Sequence, residues 1–469
     1  MRAYLFVDFG STNTKVTLVD IESETIVATA KAYTTVETDV MIGYRNAMAE
    51  LEEKVGTDFE IVKKVACSSA AGGLKIVAIG LVPELTSEAA KRAALGAGAK
   101  IVGTYSHNIN KSEAREIVSS NADMILLAGG TDGGNSECIL HNAQMLKDFE
   151  VKVPVVVAGN KSCIDEIEDI FGESVEYYIA ENVMPKLNQL NVESSRETIR
   201  SIFMENITKA KGMTHVKEEI SGIVMPTPAA VLKAAEVLSK GTEDEDGLGD
   251  LAVIDIGGAT TDIHSIAEGA PSKPSVFLRG LEEPFAKRTV EGDLGMRYSI
   301  SSVAEVAGKR MLKSYLGEEF EYDIAEEINK RTSSPSFIAQ DERDLNFDYA
   351  IAKICTRISM LRHAGEVEQI YSPTGAMYQQ TGKDLMDLPV VIGTGGILVY
   401  TEHPEEILSA STFTMEEPQS LKPRNPKFYL DADYILSSMG LLATLDEDMA
   451  VRVMKKYIKK VGSTNEMEK

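Results

Sequence analysis

Apolar residues in this chain keep two spacings, and the changes between them mark out the elements. Residues 251–254, Leu-Ala-Val-Ile, form a β-favouring run that stops at Asp255-Ile256-Gly257-Gly258-Ala259-Thr260 and resumes through Thr261 and Asp262. That pattern predicts a strand, a hairpin turn and a second strand. The N-terminus repeats the plan: Leu5-Phe6-Val7 runs into Asp8-Phe9-Gly10-Ser11-Thr12-Asn13-Thr14-Lys15, and residues 16–19 are the returning arm. A third run, Val390-Val391-Ile392, ends in Gly393-Thr394-Gly395-Gly396. Strands are also predicted at 26–34 and 61–67, and a helix at 41–55 with Ala47, Leu51 and Val55 on one face. Helices are expected over 300–328 and 348–364, joined by the polar stretch 332–344, and the tail after Val461 reads as frayed.

From residue 74 the rhythm alternates. Strands at 74–80, 100–103, 123–128, 153–158 and 175–179 are separated by helices at 87–99, 112–119, 136–146 and 162–171. Short apolar strands alternating with helices predict a doubly wound parallel sheet, whose ligands lie at the carboxyl ends of the strands. Two strands end in glycine turns, Ala128-Gly129-Gly130-Thr131-Asp132-Gly133-Gly134-Asn135 and Ala158-Gly159-Asn160. Either turn serves a ligand or simply a tight helix entry, with Ser136 and Ser162 as N-caps. The fold class expected is α/β.

Composition narrows the function classes. With 469 residues, 43% of them hydrophobic, the chain has room for two or three domains with cores of their own. Its net charge of −24 opposes nucleic acid and anionic membrane surfaces as partners. The four cysteines are scattered without a C-x-x-C pair, which argues against a zinc site or disulfide framework and for a reducing compartment. The chain opens directly into a strand and has no apolar run of membrane-spanning length, so a cytoplasmic location is expected. The acidic loop 241–250 reads as solvated spacer, and His264 as a strand residue rather than a base.

The chemistry sits in the glycine turns. Such turns bring bare N–H groups to an anion, hydroxyls such as Thr260 and Thr261 add donors, and Asp255 and Asp262 are oxygen ligands suited to hydrated magnesium. Lys15 supplies a cation for phosphate charge. Alone, an Asp-Ile-Gly-Gly turn is also a common structural hairpin. The joint occurrence changes the picture. In order along the chain, these elements resemble the signature of the actin, sugar kinase and heat-shock chaperone ATPases: Asp8 to Lys15 the first phosphate loop, Asp255 to Asp262 the second, and Gly393 to Gly396 the adenosine loop. Met225-Pro226-Thr227-Pro228-Ala229-Ala230-Val231-Leu232 and Leu436-Ser437-Ser438-Met439-Gly440-Leu441-Leu442-Ala443 resemble the two connector helices. Lys287-Arg288-Thr289-Val290-Glu291-Gly292-Asp293-Leu294-Gly295 resembles the segment that follows the second phosphate loop in the chaperones.

Within that superfamily the chain is most similar to the MutL/GlmL family, accessory proteins of adenosylcobalamin-dependent glutamate mutase. The resemblance implies two ribonuclease H-like, actin-like lobes carrying an inserted doubly wound domain. The expected division is 1–73 for the first lobe, 74–212 for a flavodoxin-like insert, 213–250 for a connector helix with acidic loop, and 251–469 for the second lobe with a helical cap. It implies a chaperone-like reactivating factor, a slow ATPase that binds ATP and Mg2+ and releases damaged cobalamin from the mutase. Gly10, Ser11, Thr12, Thr14, Lys15, Gly257, Gly258, Ala259, Thr260, Thr261, Gly393, Thr394, Gly395 and Gly396 would hold the nucleotide. Asp8 and Asp255 would order the metal, and Asp8, Asp255 and Asp262 would carry catalysis. Residues 74–180 also resemble cobalamin-binding domains, except that Leu81-Val82-Pro83-Glu84-Leu85-Thr86-Ser87 lacks the axial histidine. The insert is therefore expected to imitate a cobalamin-binding subunit rather than ligate the corrin. A small-molecule kinase of the same superfamily is the alternative.

Overall fold

The computed structural model describes residues 1–10, 13–34, 40–69, 74–209, 220, 223–273, 275–319, 321–372 and 375–464. Ser11 and Thr12 lie outside them. The chain divides into two compact units. Unit 1 comprises residues 1–234, 280–282 and 436–453, and unit 2 comprises 235–279, 283–435 and 454–469.

In unit 1, Arg2–Phe9 (β1), Asn13–Asp20 (β2) and Thr25–Tyr33 (β3) form an antiparallel meander, and Glu60–Ser68 (β4) lies parallel to β1. The helix Val40–Val55 packs its buried Met41, Tyr44, Ala47 and Leu51 on Leu5, Val7, Val16 and Leu18. Apolar residues at helical spacing thus meet the inward positions of strands, the burial that drives both to form.

Next come Lys75–Gly80 (β5), Lys100–Ser106 (β6), Met124–Leu127 (β7), Val155–Val157 (β8) and Tyr177–Ile179 (β9), all parallel, in the order β6-β5-β7-β8-β9. This is the doubly wound order found in flavodoxin-like sheets. Helices cover both faces, with Ala89, Ala90, Ala93, Ile199 and Ile202 on one and Ile117, Ile139, Ala143, Leu146 and Ile167 on the other. The expected serine caps are replaced by asparagines. The Ser136 side chain makes no capping bond, while Asn135 accepts from Cys138 N and Asn160, N-cap of the single turn Lys161–Cys163, accepts from Ser162 N, each asparagine satisfying an otherwise free amide. Ile223–Pro226 (β10) then returns to the first sheet, giving β10-β4-β1-β2-β3.

Unit 2 repeats that sheet. Leu251–Ile256 (β11) and Thr261–Ile266 (β12) form a hairpin, and a short strand Val276–Arg279 (β13) precedes Ala286–Glu291 (β14), which extends the meander. Beyond Glu366–Ser372 (β15) and Gly375–Thr381 (β16), Val390–Thr394 (β17) lies parallel to β11 and Lys427–Leu430 (β18) parallel to β17. Three antiparallel strands followed by two parallel ones, twice over, is the ribonuclease H-like plan of the actin-like lobes. Lys459–Ser463 (β19) pairs antiparallel with β18, so the tail expected to fray after Val461 begins inside an edge strand.

The helix expected over 300–328 is broken twice. Gly308 (φ 66°), itself non-helical, interrupts Ile300–Leu316, Gly317 (φ 71°) ends it, and Asp323 caps a further helix, Ile324–Ser333, by accepting from the amides of Ala325 and Glu326. Left-handed glycines and a fresh cap override continuous apolar spacing. The following helix, Glu342–His363, starts six residues before the expected 348, at its Asp341 cap. Strands β13, β15 and β16 form a separate three-stranded sheet that sequence reading did not foresee.

Candidate functional site

The second glycine turn is the best-defined part of the site. The Gly257 N–H donates to Thr260 O at 2.9 Å and closes the turn. The outward carbonyls are then taken up by the following segment: Met296 N donates to Gly257 O, Arg297 N and Tyr298 N to Gly258 O, and Ser299 Oγ to Ala259 O. The N–H groups of Gly258, Ala259 and Thr260 donate to no acceptor among the described residues. A turn whose carbonyls are satisfied and whose amides are left over is a nest for an anion.

Asp255 and Asp262 face each other across β11 and β12. Like charges placed opposite are unfavourable, and Arg288 on β14 relieves the pair, its Nε and Nη2 donating to Asp262 Oδ1 at 2.9 and 2.6 Å. Thr260 Oγ1 donates to Oδ2 of the same carboxylate at 3.2 Å. Asp262 is thus held by an arginine, whereas Asp255 stands between it and Thr394 of β17. Next along β12, His264 is buried with Arg288 beside it, and burial first, then the arginine, pull its pKa down to about 3. It is neutral, as a strand residue should be. The Thr261 side chain turns inward, its hydroxyl donating to Leu294 O at 2.9 Å.

The glycine turn at 393–396 lies at the carboxyl end of the same sheet, because β17 is the parallel neighbour of β11. Gly395 (φ 105°) runs so close to Ile256 that a Cβ would overlap the Ile256 carbonyl oxygen. Thr394 Oγ1 donates to buried Asp431, whose other oxygen accepts from Ile435 N. Tyr434, a non-glycine residue in left-handed conformation (φ 53°), brings its hydroxyl within 3.7 Å of where a Gly396 Cβ would stand. Burial, then the charges of Tyr400, Asp255 and Asp431, push its phenol pKa up.

In unit 1, Gly10 N donates to Asp8 O and Asn13 O, and a Cβ at Gly10 would lie 2.5 Å from the Asn13 oxygen. Asp8 is 5% exposed, opposite Lys15 on β2 and Cys67 on β4. Burial and then the Asp8 charge raise the Cys67 thiol pKa well above its ordinary value, so it stays protonated. Thr14, expected at a phosphate, is fully buried with its hydroxyl 3.0 Å from that of Thr34. Unit 1 thus groups Asp8, Gly10 and Lys15, and unit 2 groups Asp255, Asp262, 257–261 and 393–396.

At the carboxyl end of the inserted sheet, the glycine loop is stitched by side chains. Asn160 accepts from Gly133 N and donates to Gly134 O and Asn135 O, and Asn182 donates to Gly130 O and Asp132 Oδ1. After β5, Thr86 Oγ1 accepts from Leu81 N and Val82 N where an axial histidine would stand. No cluster of three or more metal-ligating side chains occurs among the described residues. No helix among them is long and apolar enough to cross a membrane.

A model of the MutL protein family matches residues 4–458. The chain belongs to the MutL family. This MutL-family chain is 57% identical over 463 residues to Protein MutL of Clostridium tetanomorphum, covering 98% of this chain and all of the relative. Among solved structures it is similar to Plasmodium falciparum glycerol kinase with ADP (12% identical, 99% of this chain and 94% of that one, TM-score 0.36). It is also similar to a glycerol dehydratase reactivase (10% identical, 94% and 99%, TM-score 0.35). Scores this low add nothing to the topology above.

Arg288, Asp431 and Tyr434 had no role assigned from sequence. Only Arg288 left a signal, as part of the segment 287–295.

Proposed function

We propose that this protein is an ATP-driven, chaperone-like reactivating factor for an adenosylcobalamin-dependent mutase, glutamate mutase being the expected one. Membership of the MutL family supports an accessory role. The observation that carries nucleotide binding is the turn 257–260, whose spare N–H groups are flanked in sequence by the carboxylate pair Asp255 and Asp262, at the end of the sheet where Gly395 packs on Ile256. The residues fit the group: Gly10 and Gly395 stand where a Cβ would collide with backbone, and the donors suit phosphate.

In this reading Gly258, Ala259 and Thr260 hold phosphate oxygens in unit 2, with Gly257 and Thr261 beside them, and in unit 1 the same role falls to Ser11, Thr12 and Lys15, with Gly10 and Thr14 beside them. Residues 393–396 receive the adenosine. Asp8 and Asp255 hold magnesium, which when bound neutralises phosphate charge and orders water. Asp262, fixed by Arg288, orients that water. Positioning and charge neutralisation suffice for slow hydrolysis. Loss of the γ-phosphate then removes contacts that differ between two states of the protein, and only such a difference can shift their balance. The flavodoxin-like insert is the mechanical output: it takes the place of the mutase's cobalamin-binding subunit, and damaged cobalamin is released.

The test is to incubate the pure protein with Mg-ATP, with and without corrinoid-inactivated mutase, and to follow phosphate release and recovered activity. Phosphate release stimulated by the mutase, with activity restored, is expected. Turnover that depends instead on a small acceptor would establish a kinase.

A further inference from the structure

The Asp8 carboxylate is held on both oxygens by hydroxyls. Thr227 Oγ1 donates to Oδ1 at 2.6 Å and Ser437 Oγ donates to Oδ2 at 3.2 Å. The two donors come from segments far apart in sequence, yet each begins a helix: Thr227 is the first residue of Thr227–Lys240 and Ser437 the second of Leu436–Leu442. The helices touch, since a Cβ on Gly440 would overlap the carbonyl oxygen of Ala230. Beside them, Ser438 Oγ lies 2.9 Å from Thr17 Oγ1 on β2, and Thr227 Oγ1 lies 3.6 Å from Cys67 Sγ.

The type of donor is informative. A carboxylate offers about four acceptor sites, and one hydroxyl bond on each oxygen fixes its plane while using only two of them, with the Cys67 thiol and Lys15 as further neighbours across β4 and β2. Hydroxyls carry no charge, so these two orient Asp8 without themselves neutralising it. Asp262 shows the contrasting design, a carboxylate neutralised by an arginine.

We propose that Thr227 and Ser437 are positioning residues for a divalent cation: they hold the Asp8 carboxylate oriented, and they transmit the cation's arrival to the first turns of both helices. This rests on the nucleotide reading above. It also gives the connection a physical route, because the chain leaves unit 1 after Ala234, within the first helix, and re-enters it at Leu436, where the second begins.

The experiment uses the full-length protein. Mg2+ is titrated by calorimetry in the presence of saturating ADP for wild type, Thr227→Val, Thr227→Ser and Ser437→Ala, and hydrogen exchange is followed over 227–234 and 436–442. Losing one hydrogen bond to a charged group should lower cation affinity about tenfold, while ADP affinity measured without Mg2+ stays unchanged. Thr227→Ser keeps the hydroxyl and should restore wild-type behaviour. The Mg2+-dependent slowing of exchange should appear in wild type and Thr227→Ser and vanish in Thr227→Val. If Thr227→Val fails to fold, Ser437→Ala decides alone. Unchanged cation affinity in the variants, or a Thr227→Ser as weak as Thr227→Val, overturns the positioning role while leaving nucleotide binding intact. Absence of ADP binding by the wild type overturns both.

Discussion

At the site of unit 2, the charge balance depends on Arg288. Its side chain is 4% exposed and compensates Asp262, itself opposite Asp255. Removing one partner of a buried pair leaves the other uncompensated, so Arg288→Ala should cost about 3–5 kcal/mol of stability, measurable by denaturant unfolding. His264 makes a second prediction. Its folded pKa of about 3 lies below the ordinary 6.5, so the folded state keeps it neutral while the unfolded chain takes up a proton. Stability is complete above pH 6.5 and falls as the pH drops toward 3, by about 2 kcal/mol between 6.5 and 5. His363, buried and lowered for the same first reason, adds to the slope. Replacing His264 with leucine should flatten the acid limb of a stability-against-pH curve. Neither role was legible in the sequence. Aspartates and glycines announce themselves because they cluster in a turn, whereas Arg288 and the two hydroxyls on Asp8 reach their partners from distant segments.

At the scale of elements, the paired hairpins and the alternating insert were legible because each is written in local spacing, period two for strands and glycine at the turns. Failures came where a local conformation broke a continuous pattern, as Gly308 and Gly317 break the apolar spacing of 300–328, or where pattern was weak. Strands β15 and β16 have exposed residues on both faces, such as Ile370, Tyr371 and Tyr378, so no buried stripe marks them. The third prediction belongs here. Gly395 combines a φ of 105° with backbone contact to Ile256, so Gly395→Ala must shift either β11 or the helix entry that follows it. A cost of about 2–4 kcal/mol is expected from strain and overlap together. Loss of ATP binding by calorimetry should accompany it, while Gly133→Ala, where a Cβ meets open space but φ is 71°, should cost only about 1 kcal/mol.

For the whole molecule, each unit has its own core and one copy of the same sheet, and each copy ends in an aspartate-glycine turn. That duplication was visible from residues 5–19 and 251–262, but the division of the chain was not, because unit 1 takes back residues 280–282 and 436–453 from within the span of unit 2. A ligand that binds only the folded state stabilises it by about 2.7 kcal/mol at a hundred times its dissociation constant. Mg-ATP at that level should therefore raise the melting temperature measurably in a calorimetric scan, and Asp8→Asn should abolish the magnesium-dependent part of the rise.

The route of the polypeptide has a consequence for its biosynthesis. The closing helices of unit 1 and the edge strand β19 of unit 2 are both contributed by residues beyond 435. Neither unit can acquire its full complement of packing partners until residues beyond 435 have emerged from the ribosome, so the apolar surface they cover stays exposed until then. A message truncated before codon 436 should yield insoluble product rather than an independent half.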